Sequence, residues 1–271
     1  MRPLRIRVAC MGDSLTRGDA SHEPGMGSHH PFKNSSVATP VESRGNYPLT
    51  LGKLMGSSAY EVRNFGHGGR SVLPPTQYNQ TAEYRAALAW RPHLVLLMLG
   101  TNDAKRARPG SAEIATWDAD AFEPQLLALA RAILHNRIPS PRPPFLLLLI
   151  PPPILPTAAS SRYDAQLLDE SGSIPQGIEA VARALASTGP PAVPCMPGGT
   201  HTLSMRRAWP GCPSRCHAFI GSDGIHTTAG GAEAMGQLVS GYLRSGACKW
   251  RHSRALNPNQ RALNPNRTLG R

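Results

Sequence analysis

The sequence predicts an α/β domain built on a parallel sheet with helices on both faces. Two observations carry this. Apolar runs of strand length alternate with segments of helical spacing along most of the chain. Two of those runs, residues 94–99 and 145–150, are apolar at every position, as strands buried on both faces require.

The elements follow in order. Residues 5–11 form a short strand-like run. Residues 47–58 have helical spacing, with Leu49, Leu51, Leu54 and Met55 recurring on one side. Residues 60–65 read as a second strand and 76–90 as a helix with Ala and Leu on one face. The third strand is 94–99, followed by a helix over 122–136 and the fourth strand at 145–150. A helix over 174–187, a weak fifth strand over 192–196 and a closing helix over 229–244 complete the pattern. Repeated strand–helix units make a parallel sheet through crossover connections. Two segments, 19–46 and 197–219, are long and rich in Gly, Pro, Ser and His or Cys, and are expected to line a binding site.

Composition narrows the class. The chain has 271 residues, enough for one sizeable core with appendages. It has no run of 18 apolar residues, so no membrane-spanning helix is expected. The basic start, Met1 to Arg7, is followed by too short an apolar stretch for a signal peptide, so a cytoplasmic location is expected. Five cysteines (Cys10, Cys195, Cys212, Cys216 and Cys248) are an odd count, and Cys212 and Cys216 read as two loop thiols in preference to a disulfide or a metal half-site. His22, His29 and His30 share the first long loop but have no matching set of carboxylates or cysteines, so no metal is expected.

The net charge of +12 invites a nucleic-acid reading, but its distribution weakens it. From Arg244 onward there are six Arg, one Lys and no acid, so +7 of the charge sits in the tail. That tail repeats itself: Arg254-Ala255-Leu256-Asn257-Pro258-Asn259-Gln260 is followed by Arg261-Ala262-Leu263-Asn264-Pro265-Asn266-Arg267. A Pro/Asn heptad cannot continue a helix. Residues 247–271 are therefore expected to be disordered. A basic anchor for nucleic acid or an anionic surface is the less favoured reading.

Four motifs carry the chemistry: Gly12-Asp13-Ser14-Leu15, Asn64-Phe65-Gly66, Gly100-Thr101-Asn102-Asp103 and Asp223-Gly224-Ile225-His226. The first three begin at the carboxyl ends of strands, where ligands sit in open α/β sheets. A serine hydroxyl needs an adjacent base, and His226 is the candidate. Asp223, three residues earlier, can orient the ring through its other nitrogen. Three donors are available for an oxyanion: the backbone N–H of Ser14, that of Gly66, and the side-chain amide of Asn102. Each motif alone is ordinary turn chemistry; their combination in this order is what points to acyl transfer. Asp13 and Asp103 are expected to hold loop geometry. Trp90, Trp117 and Tyr163 are candidates for lining a pocket, with core packing favoured for Trp90.

On these blocks the chain resembles the SGNH hydrolases, the GDSL esterase/lipase family. The four namesake residues map onto Ser14, Gly66, Asn102 and His226, and Asp223 matches the acid before the histidine. The resemblance spans residues 5–244. It implies a flavodoxin-like three-layer α/β/α sandwich with a five-stranded parallel sheet, and cofactor-free ester hydrolysis through an acyl-enzyme. The expected organisation is a hydrolase domain over 1–246 and a separate tail over 247–271. The run Leu96 to Lys105 and the entry Asn46-Tyr47-Pro48 are similar to the carbohydrate O-acetyl esterases of the family. Thr227 replaces the usual proline after the last histidine, and the Cys212/Cys216 loop replaces a short link. The expected function is removal of small acyl groups, acetyl first, from a carbohydrate or similar small ester. A longer-chain acyl esterase such as a lysophospholipase is the alternative, and a catalytically silent binding protein on the same fold the rival from another class.

Overall fold

The computed structural model describes residues 5–18, 46–106, 117–135, 144–188, 202–209 and 216–245. Five strands form one sheet: β1 (Ile6–Gly12), β2 (Tyr60–Gly66), β3 (Leu94–Met98), β4 (Phe145–Ile150) and β5 (Thr202–Ser204). Their order is β2-β1-β3-β4-β5, and every neighbouring pair is parallel. The six helices among the described residues are α1 (Ser14–Arg17), α2 (Tyr47–Met55), α3 (Ala82–Ala89), α4 (Ala119–His135), α5 (Ser173–Thr188) and α6 (Ala229–Arg244).

Period-two alternation along the central strands divides the core into two layers. Ala9, Met11, Val95, Leu97, Leu146 and Leu148 face one side. There they pack with Tyr84 of α3, Phe122, Leu126 and Ile133 of α4, and Ile178 and Val181 of α5. Val8, Cys10, Leu96, Met98, Leu147 and Leu149 face the other, against Tyr47 and Leu51 of α2 and Met235 and Val239 of α6. Leu96 is fully buried, so truncating it to Ala costs roughly 2–5 kcal/mol by lost transfer energy plus cavity. This is the three-layer α/β/α sandwich the sequence predicts. The strand order reverses at β1, so the crevice outside the carboxyl ends of β1 and β3 is the place for a ligand.

Local chemistry sets the helix starts. Asn46 Oδ1 accepts from Leu49 N–H at 2.8 Å to cap α2. Thr228 Oγ1 accepts from Gly231 N–H at 3.0 Å to cap α6. The segment 76–90 is not one helix: a 3-10 turn (Tyr78–Gln80) comes first, and Thr81 Oγ1 accepts from Tyr84 N–H at 3.1 Å to begin α3 anew. A capping side chain inside an amphipathic stretch therefore moves the start of the helix.

Two expectations need correction. The fifth strand lies at Thr202–Ser204, where Leu203 pairs with Leu149; residues 192–196 fall outside the described part. Three residues with one buried side chain are too short for periodicity to reveal. Cys216 is disulfide-bonded and so is not a free loop thiol, while Cys10 is free and buried. Cys195, Cys212, Cys248, the three loop histidines and the tail lie outside the described residues. Among the described residues no helix is long and apolar enough to cross a membrane.

Candidate active site

Ser14 is the first residue of α1, separated from the end of β1 by Asp13 alone. Asp13 caps that helix, its Oδ1 accepting from Leu15 N–H at 3.0 Å. The cap turns the chain sharply at the sheet edge. Ser14 is 6 % exposed there.

His226 reaches the same edge from the loop before α6. Its Nε2 lies 3.0 Å from Ser14 Oγ, across 212 residues of sequence. Its Nδ1 lies 2.5 Å from Asp223 Oδ2. Asp223 also accepts from the backbone N–H groups of Ile225 and His226, each at 2.9 Å through Oδ1. The carboxylate can only accept from Nδ1–H, which leaves Nε2 free to accept the serine proton. Burial pushes the Asp223 carboxyl up. The hydrogen bonds from His226, Ile225 N–H and His226 N–H, with the imidazole charge, outweigh it and hold the group down at about 2. Its loop is pinned in turn: Thr157 Oγ1 donates to Asp223 O at 2.9 Å and Leu155 N–H to Gly224 O at 2.8 Å.

Asn102 opens the turn after β3 and is 3 % exposed. Its Nδ2 donates to Arg70 O at 2.9 Å and makes a long 3.4 Å contact with Asp13 Oδ2. One amide hydrogen is thus well bound and orients the group; the other is held weakly. Asp103 accepts from Val72 and Leu73 N–H at 2.8 to 3.1 Å and ties the loop after β2 to this turn. Asp13 and Asp103 hold loop geometry, as expected. Both are fully buried, and desolvation raises them to about 7 and about 6.

The Gly66 N–H expected to face an oxyanion is committed elsewhere: it donates to Asn64 Oδ1 at 2.8 Å. The glycine itself has a packing reason. A Cβ at position 66 would lie 2.3 Å from Arg17 N and 2.7 Å from Arg17 Cα, so only glycine lets α1 sit against β2. Sequence reasoning missed Gly69, three residues on. It has φ 77°, a Cβ there would meet nothing within 4 Å, and the next residue supplies the carbonyl that holds Asn102. The doubled Gly68-Gly69 was the available signal.

Tyr163 is buried beside the site, and the charges of Asp13 and Asp223 both act on its hydroxyl. Trp90 instead packs against Phe65, with ring centroids 5.6 Å apart and Arg63 over its face. Trp117 packs on Phe122. Among the described residues no three His, Cys, Asp or Glu side chains are grouped to hold a metal.

Ser14, His226 and Asp223 thus stand in one hydrogen-bonded line at the carboxyl edge of a parallel sheet. The family model of the GDSL-like lipase/acylhydrolases matches residues 10–234, and the chain belongs to that family. Over 102 residues it is 31 % identical to an acetylxylan esterase of Xylanibacter ruminicola, a stretch that is 37 % of this chain but 17 % of that protein. The fold is similar to the native aryl esterase of M. smegmatis (TM-score 0.55, 22 % identity, 89 % and 99 % of the two chains). It is also similar to a carbohydrate acetylesterase from Sinorhizobium meliloti (TM-score 0.53, 18 % identity, 89 % and 99 %) and an acetylxylan esterase from Geobacillus stearothermophilus (TM-score 0.56, 16 % identity, 91 % and 96 %).

Proposed function

We propose that the protein is a carboxylic ester hydrolase that removes small acyl groups, acetyl first, from a carbohydrate or similar small alcohol. The observation that carries this is the line from Ser14 Oγ through His226 to Asp223, with contacts of 3.0 and 2.5 Å. Ser14 Oγ attacks the ester carbonyl as His226 Nε2 takes its proton. The imidazolium gives that proton to the leaving alcohol, and an acyl-Ser14 remains. Water then attacks the acyl carbon, again losing a proton to His226, which returns it to Ser14 as the carboxylic acid departs. Asp223 stays ionised throughout and stabilises the imidazolium.

The oxyanion needs donors fixed in advance. Ser14 N–H is an orphan donor at a helix start, and the loosely held hydrogen of Asn102 Nδ2 is a second. With Gly66 committed to Asn64, we assign the third to the Gly69 turn, beside the Arg70 carbonyl that positions Asn102. The acetyl and carbohydrate preference draws on the names of the similar proteins above and on the Leu96-to-Lys105 run. The Cys216 disulfide favours an oxidising compartment over the cytoplasmic placement that composition suggests.

The test is hydrolysis of p-nitrophenyl acetate against p-nitrophenyl octanoate, with fluorophosphonate labelling of Ser14. Acetyl turnover above octanoyl, abolished by Ser14→Ala, is expected. Faster octanoyl turnover overturns the acyl preference, and a protein that neither labels nor turns over is a silent binder.

A further inference from the structure

We propose that Lys105, Arg162 and the Tyr163 ring they share form a subsite for an anionic group, a carboxylate or a phosphate, on the alcohol half of the substrate. This rests on the esterase reading above.

The cluster is built into the rim of the site. Lys105 closes the turn that begins at Asn102, its N–H donating to Asn102 O at 3.3 Å. That turn is zipped to the loop after β4. Lys105 bridges Tyr163 in antiparallel fashion, Arg106 N–H donates to Arg162 O at 2.8 Å, and Asp164 N–H donates to Ala104 O at 2.7 Å. The backbone therefore fixes the Cα positions of Lys105 and Arg162 relative to Asn102.

Both head groups turn to one ring. Lys105 Nζ lies 5.7 Å from the Tyr163 centroid and Arg162 Cζ lies 5.5 Å from it. No carboxylate among the described residues forms an ion pair with either, whereas neighbouring Arg106 has Asp164 at 3.9 Å. Two like charges against one ring, one of them half-buried, repel each other, and neither has a carboxylate within ion-pair distance among the described residues. Partial burial, and next the Arg162 charge, hold the Lys105 ammonium below its usual range. The charges of Asp13 and Asp103 act on it in the opposite sense. Lys105 thus feels Asp13, the neighbour of Ser14, and the Tyr163 hydroxyl feels both Asp13 and Asp223. Through the Asn102 turn and the Lys105–Tyr163 bridge the pair stands on the Asn102 side of the proposed site. A small acyl group has no room for a charge of its own, so the anion they await is on the alcohol side. A guanidinium fork and an ammonium together match a carboxylate or phosphate oxygen pair.

The kinetic test uses p-acetoxybenzoate and its methyl ester, which differ in one charge remote from the reacting carbonyl. The native protein is expected to prefer the free carboxylate in kcat/KM. Lys105→Met and Arg162→Met should each lower the ratio of the two kcat/KM values about tenfold, the loss of one charge-assisted contact. A ratio unchanged in both variants overturns the subsite. A second arm needs no chemistry. Calorimetric titration of the Ser14→Ala protein with galacturonate and with inorganic phosphate should show saturable binding, weakened about tenfold by Lys105→Met. Tighter galacturonate marks a carboxylate ligand, and tighter phosphate a phosphate. Absence of binding to both overturns the proposal. Binding without hydrolysis of either ester upholds the subsite and removes the esterase reading instead.

Discussion

Asn64 Oδ1 accepts the Gly66 N–H at 2.8 Å, while Nδ2 of the same side chain donates to the carbonyls of Thr16 and Arg17 at 2.8 and 3.2 Å. One buried amide thus staples the end of β2 to the helix that begins with Ser14. Its removal leaves buried carbonyls unpaired at about 1–3 kcal/mol. Asn64→Ala is expected to lower the thermal midpoint by several degrees. Gly66→Ala should do the same by forcing Arg17 away, and both should leave soluble protein whose rate loss tracks displacement of Ser14. A normal melting temperature in Gly66→Ala would show that the chain takes up the added methyl group without displacing Arg17.

The Asp223–His226 contact makes a separate claim on the rate. Asp223→Asn cannot hold the Nδ1–H tautomer, and kcat should fall about 10⁴-fold with little change in KM. Asn102→Ala should cost about 10²–10³ in kcat by removing one oxyanion donor. Steady-state kinetics on p-nitrophenyl acetate distinguishes the two. Equal, small effects would mean that neither group acts in the transition state.

Stability should vary with pH in opposite ways at two carboxyls. Asp223 is held at about 2, below its unfolded value of about 3.9. Its contribution is present above about pH 4 and disappears as pH falls towards 2. Asp13 is raised to about 7, so the unfolded chain releases its proton first. Stability therefore declines as pH rises from about 4 through 7 and stays lowered above that. Asp13→Asn keeps an N-cap oxygen and should flatten part of the decline; the raised Asp103 retains the remainder. Urea unfolding at several pH values reads both effects. An identical pH slope in Asp13→Asn would show that this carboxyl is already ionised when buried.

The Cys216 disulfide should be visible in the purified protein. Cys216→Ser, or reduction of the native chain, should destabilise by about 2–4 kcal/mol. Thiol titration before and after reduction, alongside thermal unfolding, provides the check. An unchanged midpoint on reduction would mean that the bridge does not brace the fold.

Much of this was legible in the sequence because it rests on local rules. All-apolar runs marked β3 and β4, and the 3.6-residue pattern marked α6 over Ala229–Arg244. Ser14, Asn102, Asp223 and His226 were legible because each sits in a short motif with a strand before it or a helix after it. Less was legible where one residue decided the outcome. Thr81 split an amphipathic stretch into a 3-10 turn and a helix, and Leu203 alone anchors β5. A disulfide at Cys216 was weighed from the sequence and not favoured, because a pairing depends on sulfurs meeting in space.

The sequence by itself determined the class: a parallel α/β sandwich, a serine, a base and an acid, since periodicity and residue type are properties of short segments. Only the tertiary structure decided which groups are free to act. It brought His226 to Ser14 across 212 residues, and it spent the Gly66 N–H on Asn64. It also turned Lys105 and Arg162 onto a single ring. Those outcomes depend on distances between loops from different strands, which the sheet order sets and no single stretch of chain encodes.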